Sequence, residues 1–235
     1  MSVSFDEIIK RQGSGSIKWQ EYDTDVIPMW VADMDFQCPE NIREALHQCV
    51  NHGIFGYAAE PSELRQVIVD RLASRYRWEV SPDSLVFLPG VVNNLNLIYR
   101  TFASPPEEVL VSTPAYPPFL HGPQKADLTV REVELVSGHS DCFEIDFEAF
   151  EAAINKKSRL FVLCNPHNPT GRVFQKKELE KLAQLCLKHN LLICSDDIHC
   201  DIVYPGSQYL PIASLDKDIE AATITMISPG KTFNI

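Results

Sequence analysis

Five short apolar runs in this chain end in residues able to do chemistry. Residues 85–88 lead into Pro89 and Gly90, and 109–112 into Thr113, Pro114 and Tyr116. Residues 160–164 enter an asparagine-proline turn carrying Asn165, His167 and Asn168; 191–195 enter Asp196, Asp197 and His199; 223–227 enter Ser228, Gly230 and Lys231. A lysine amine attacks a carbonyl carbon once desolvation lets it shed its proton. A buried aspartate can hold a ring nitrogen protonated through a charge-assisted hydrogen bond worth about 1.5–3 kcal/mol. Tyrosine offers a flat face for stacking and asparagine a neutral donor for a phenolate oxygen. Glycine opening a helix leaves backbone amides free for a phosphate. Together the parts suit a planar, phosphorylated, carbonyl-bearing compound.

Such residues converge only if the runs between them form a sheet. The runs at 85–88, 109–112, 130–135, 160–164, 191–195 and 223–227 have strand length, and most are continuously apolar, as in strands covered on both faces. Helical periodicity separates them at 93–102, 146–153 and 176–189, the last with Leu179, Leu182, Ala183, Leu185 and Cys186 on one stripe. Two further helices are expected earlier, one opening near Pro39 and closed by Gly53, the other over 62–77. The first ~35 residues read as an irregular arm with one short amphipathic piece at 5–11. Strand-helix alternation of this kind predicts a mostly parallel α/β sheet, whose ligand site lies beyond the carboxyl ends of the strands.

Composition narrows the classes of function. With 235 residues, 45% hydrophobic and 23% charged, the chain is neither disordered nor a small disulfide scaffold. A net charge of −11 without a basic cluster argues against nucleic acid or an anionic membrane as a main partner. The seven cysteines form no CxxC pair, which predicts reduced thiols, a cytoplasmic location and no metal site. No run reaches the ~18 apolar residues of a membrane span.

The requirements listed first are those of pyridoxal phosphate, and the motifs around the residues are specific. They are PMWVADMDF at 28–36, FGY at 55–57, PGVV at 89–92, TPAYPPF at 113–119, CNPHNPTG at 164–171, SDDIH at 195–199 and SPGKTFN at 228–234. In this order they resemble fold-type I pyridoxal-phosphate enzymes, in the aminotransferase-like cystathionine β-lyase branch. The resemblance implies an α/β fold: a three-layer, aminotransferase-like large domain with a mostly parallel sheet, incomplete at its C-terminus. It further implies an arm and part of a small domain over residues 1–45, a cofactor-binding large domain over 46–235, and a C-terminal small domain that is absent.

By the same resemblance Lys231 links covalently to the cofactor and moves the substrate Cα proton. Asp196 pairs with the pyridine nitrogen, Asn168 with the phenolic oxygen, and Tyr116 stacks on the ring. Gly90, Val91, Val92 and Ser228 hold the phosphate, and His199 stands where many aminotransferases carry a tyrosine. Tyr57 reaches a neighbouring subunit's phosphate, which implies a homodimer, and Trp30, Ala32 and Asp33 border a small sulfur-containing amino acid. The implied reaction is α,β-elimination to pyruvate, ammonia and a thiol.

Other readings compete. An aminotransferase of the same fold shares the residues named, and a non-catalytic member would bind cofactor or a partner protein without turnover. Gly230-Lys231-Thr232 ends like a phosphate-binding Walker loop, but such a loop needs glycine where Thr225 stands. Taken singly, Asp196 reads equally well as a helix N-cap, Asn165 as a turn former, and Tyr57 and Tyr116 as core or rim aromatics. No arginine can be assigned to a substrate carboxylate, the anchor such enzymes draw from beyond their lysine.

Overall fold

A computed structural model describes residues 5–138 and 142–235. They divide into two compact units, one built from the stretch up to Glu60 together with Pro229–Ile235, the other from Pro61–Ser228.

The larger unit is organised by a five-stranded parallel sheet of order β2-β1-β5-β6-β7. Its strands are β1 (Glu108–Thr113), β2 (Thr129–Glu134), β5 (Ser158–Cys164), β6 (Leu192–Asp196) and β7 (Thr223–Met226), and a two-stranded ribbon pairs β3 (Val136–Ser137) with β4 (Phe143–Glu144). Side chains alternate across a strand, so β1, β5 and β6 feed two cores. Leu110, Phe161, Leu163 and Ile193 point to one face, where α5 (Phe147–Ala153) contributes Phe150 and α6 (Lys176–Lys188) contributes Leu179, Leu182 and Cys186. Val109, Val111, Leu160, Val162, Cys164 and Cys194 point to the other, against Leu95, Ile98 and Tyr99 of α3 (Val91–Phe102) and Phe119 of α4 (Pro117–Gln124). Two covered faces explain why the central runs are continuously apolar.

Local chemistry sets the helix ends. Asp146 caps α5 by accepting from the amides of Glu148 and Ala149, and Gln175 with Glu178 forms a reciprocal capping box on α6. A further helix, α2 (Ser62–Tyr76), belongs to this unit, as does the short α7 (Lys217–Ala221) capped by Asp216. The expected helices are present to within a residue or two, and Thr225 stands inside β7, leaving no phosphate-cradling loop before Lys231.

One expected strand is absent. Residues 85–88 are extended but join no ladder: Val86 is 75% exposed, and the Leu85 carbonyl accepts from the Arg65 guanidinium, which also lies over the Phe87 ring. An apolar run becomes a strand only where a neighbour satisfies its amides, and none flanks this segment among the described residues.

In the smaller unit α1 (Glu40–His52) starts after Pro39 and closes at Gly53 in the left-handed region, φ 73°. Residues 5–11 form no regular element, in keeping with an irregular arm. The segment is too short to hold one alone, and Arg11 is drawn into ion pairs with Asp33 and Asp35. The C-terminal turn α8 (Gly230–Phe233) also belongs to this unit.

Candidate active site

The sheet order reverses its direction of growth at β1, whose neighbours are β2 and β5, so a ligand crevice is expected beyond the carboxyl ends of β1 and β5. Four predicted residues of the larger unit lie just past or at strand carboxyl ends: Tyr116 after β1, Asn168 after β5, Asp196 closing β6 and Ser228 after β7. Asp196 shares its face of β6 with Cys194, the face covered by α3 and α4. Gly90, Val91 and Val92 open α3 on that same face, and Tyr116 precedes α4.

Each position is fixed by backbone chemistry. Gly90 has φ 80° and ψ 143°, a conformation that only glycine adopts without strain, and it turns the chain into α3. Val91 is buried while Val92 is exposed, so the helix start is anchored on one side and accessible on the other. Tyr116 is 37% exposed and meets Phe119 edge-on at 5.6 Å between ring centres, leaving part of its ring uncovered.

The turn after β5 is organised by Cys164 and Asn165. The buried Cys164 Sγ accepts from the Asn168 amide at 3.4 Å and donates to the Pro166 carbonyl at 3.3 Å. Burial first, then the Asp196 carboxyl, pushes this thiol far above its ordinary range, so it stays a neutral brace. Asn165 is 1% exposed; its Oδ1 accepts from the Phe174 amide and its Nδ2 donates to the Leu210 carbonyl, the turn-forming role its sequence position suggested. His167 is also buried, with Nδ1 2.8 Å from Thr170 Oγ1; burial first and then Arg172 lower its pKa to about 4, keeping it neutral. Asn168 is left half-buried beyond this frame.

Asp196 is 4% exposed, and its register partners are Cys164 and Met226. Its Oδ1 accepts from the Ile198 amide at 3.2 Å and braces a turn; no helix starts here for it to cap. His199 follows in that turn, half-buried, its carbonyl accepting from the Ile202 amide. Cys200 and Asp197 also lie here, yet no cluster of His, Cys, Asp or Glu suited to a metal ion occurs among the described residues.

In the smaller unit Lys231 Nζ donates to the Ala32 carbonyl at 2.9 Å, joining two predicted residues 199 positions apart. Asn234 Nδ2 donates to the carbonyls of Met34 and Phe36, so α8 is stitched along residues 32–36. That strap is held by charge. Asp33 pairs with Arg11 and accepts from Ser16; Asp35 pairs with Arg11 and Lys18 and accepts from Trp19 Nε1. Partial burial works against the Asp35 carboxylate, but the hydrogen bonds from Lys18 and Trp19 and the charges of Lys18 and Arg11 hold it below the usual carboxylate range. Trp30 Nε1 donates to the Lys18 carbonyl. Tyr57 is fully exposed, outside this network.

The donor set fits pyridoxal phosphate. The larger unit carries an acid, a side-chain amide and an aromatic at strand carboxyl ends and helix-start amides at Gly90–Val92, types suited to a ring N–H, a phenolate oxygen, a ring face and a phosphate. Sequence reasoning missed the braces beneath them: Cys164, His167, and an acid-hydroxyl cluster of Asp197, Ser195 and Tyr209. No motif or run in the sequence marks these as braces, since a buried acid, hydroxyl or thiol shows its partners only in the fold.

A parallel sheet covered by helices on both faces makes the larger unit a three-layer α/β fold. Residues 24–235 match the model of the aminotransferase class I and II family, and the chain belongs to that family. Cystathionine beta-lyase PatB of Bacillus subtilis is 39% identical over 99% of this chain and 62% of its own length. The structure of cystalysin from Treponema denticola, which contains pyridoxal 5'-phosphate, matches with a TM-score of 0.94 at 32% identity, over 100% of this chain and 61% of that one. The pyridoxal-phosphate-bound C-S lyase of Staphylococcus hominis gives 0.91 at 33% identity, over 100% and 61%. The chain thus spans about three fifths of the length of these relatives.

Proposed function

We propose that this chain carries the cofactor half of a pyridoxal-phosphate-dependent carbon–sulfur β-lyase, cleaving L-cystathionine or a related cysteine S-conjugate to pyruvate, ammonia and a thiol. The observation that carries the reading is the row of Tyr116, Asn168 and Asp196 along one carboxyl edge, in a chain 39% identical to a cystathionine beta-lyase. Bound pyridoxal phosphate supplies a carbonyl for the substrate amine and an electron sink for the pair left at Cα.

The chain's own residues do the rest. Asp196 keeps the ring nitrogen protonated, Asn168 orients the phenolic oxygen with His199 nearby, and Tyr116 excludes water from one ring face. Gly90, Val91, Val92 and Ser228 bind the phosphate through amides and a hydroxyl. The Lys231 amine takes the Cα proton, the Cβ–S bond breaks, and the sulfur leaves with the electron pair as thiolate. Water then releases the remaining three-carbon fragment as pyruvate and ammonia. Trp30, Ala32 and Asp33 border the substrate, and Ala32 already accepts from Lys231. Tyr57, fully exposed here, suits donation to a second copy's phosphate in a homodimer. Free thiols at all seven cysteines support a cytoplasmic setting, and no described helix is long and apolar enough to cross a membrane.

The test is to supply pyridoxal phosphate and assay pyruvate release from L-cystathionine beside amino transfer to a keto acid. Pyruvate without transfer is expected, and Lys231→Ala abolishes it. Transfer without pyruvate would make the chain part of an aminotransferase.

A further inference from the structure

Beside Asp196 stands a second acid for which the reaction above has no use. Asp197 is fully buried, its Oδ1 accepting from Ser195 Oγ at 2.6 Å and its Oδ2 from the Tyr209 hydroxyl at 2.5 Å. Its amide donates to the Met226 carbonyl of β7, and its carbonyl accepts from the Cys200 amide, both at 2.9 Å. The peptide after Asp196 is therefore tied to its own strand, to the neighbouring strand, to the following turn and to the 203–211 loop. That loop is secured in turn: Tyr209 meets Tyr76 edge-on at 5.1 Å, and Tyr76 of α2 donates to Asp201, which pairs with Arg71 and Arg75.

We propose that Asp197 is a positioning residue for Asp196: clamped between the Ser195 and Tyr209 hydroxyls, it pins the turn that presents the Asp196 carboxyl to a cofactor ring nitrogen. The inference rests on the pyridoxal-phosphate reading. The geometry separates the two acids by role. Asp196 faces α3 on the sheet's cofactor side, while Asp197 is consumed by internal hydroxyls and touches no solvent. Two adjacent carboxyls at one strand end cannot both carry charge cheaply. Burial raises Asp197 to about 7, against the hydrogen bonds from Ser195 and Tyr209 and with the help of the Asp196 charge. The other titratable groups near it are Cys164 of β5, Cys200 of the same turn and Tyr209 of the loop; behind them lie Tyr76 of α2 and Asp201, which pairs with two arginines. Occupied by two internal hydroxyls, Asp197 does not compete with Asp196 for a ring nitrogen.

The experiment binds pyridoxal phosphate carrying a nitrogen-15 ring label to the chain and follows the ring-nitrogen chemical shift with pH. Asp197→Ala is expected to lower the ring-nitrogen midpoint by about one unit, equivalent to a tenfold weaker hold by Asp196. Asp197→Asn, which keeps the volume and one acceptor oxygen for a hydroxyl, recovers part of that loss. Tyr209→Phe, which removes one hydroxyl and keeps the ring stack, gives a smaller shift in the same direction and carries the test should the alanine variant not fold. A purely structural role would lower melting temperature without moving the midpoint, and that result in both Asp197→Ala and Tyr209→Phe overturns the inference. Failure of the unaltered chain to bind pyridoxal phosphate overturns the functional reading, and the inference falls with it. Binding with unmoved midpoints overturns the inference alone.

Discussion

The two units hold their functional residues by different physics. In the larger one Asn168 and Asp196 rest on a dry frame of strand ladders, the neutral Cys164 and the internal hydrogen bonds of Asn165 and His167. In the smaller one Lys231, Ala32 and Asp33 belong to a strap tied by half-exposed ion pairs from Arg11 and Lys18 to Asp33 and Asp35. Dry hydrogen-bonded frames are insensitive to salt and respond to changes of volume; charged straps respond to salt and acid. The groups proposed to hold a cofactor ring thus rest on a dry hydrogen-bonded frame, and the proposed reactive lysine on a charge-tied strap.

Four changes sharpen that contrast. The largest effect is expected from Phe161→Ala, which empties a 1%-exposed position between β5 and α5 and costs about 3–5 kcal/mol in urea unfolding. Next comes Gly90→Ala: a Cβ there meets no atom within 4 Å, so the penalty of about 1–3 kcal/mol is conformational, and weaker phosphate binding accompanies it. Asp35→Asn removes the charged partner of the buried Lys18, which keeps its bond to the Asp33 carbonyl, and loosens the strap by about 1 kcal/mol, read as faster amide exchange at Trp19 and Asp33. Because the Asp35 pKa is depressed, its contribution is present above the ordinary carboxylate value of 3.8 and is lost as pH falls through its lowered pKa; high salt erodes it as well. The smallest is Lys176→Ala, whose pair with Glu180 joins a 68%-exposed side chain at 3.6 Å and is worth under about 0.5 kcal/mol. A salt response in Gly90→Ala equal to that of Asp35→Asn would erase the distinction between the units.

Much of this was legible in the sequence, for reasons tied to particular residues. Strands buried on both faces announce themselves by continuous apolar runs, so β1, β5 and β6 were readable. Residues 85–88 carry the same signal, yet a run cannot specify that a partner strand flanks it. α4 went unread because prolines at 117, 118 and 123 mask helical periodicity, although two of them fit a first turn, where no amide is needed. In the site, motif order gave Lys231, Asp196 and Asn168, because their chemistry is distinctive. The braces Asp197, Tyr209 and Cys164 were illegible: no motif announces which group a buried side chain will meet, whether nearby, as Cys164 meets Asn168, or across a loop, as Tyr209 meets Asp197, 12 residues away.

The central claim is that Lys231 is the residue that captures the cofactor. Incubating the chain with pyridoxal phosphate, reducing with borohydride and mapping the modified peptide by mass spectrometry tests it most directly. The account predicts one pyridoxyl group, on the peptide containing Lys231, and its disappearance in Lys231→Ala. A stable adduct on any other lysine with Lys231 unmodified, or no adduct at all under conditions where the chain is folded, would contradict it.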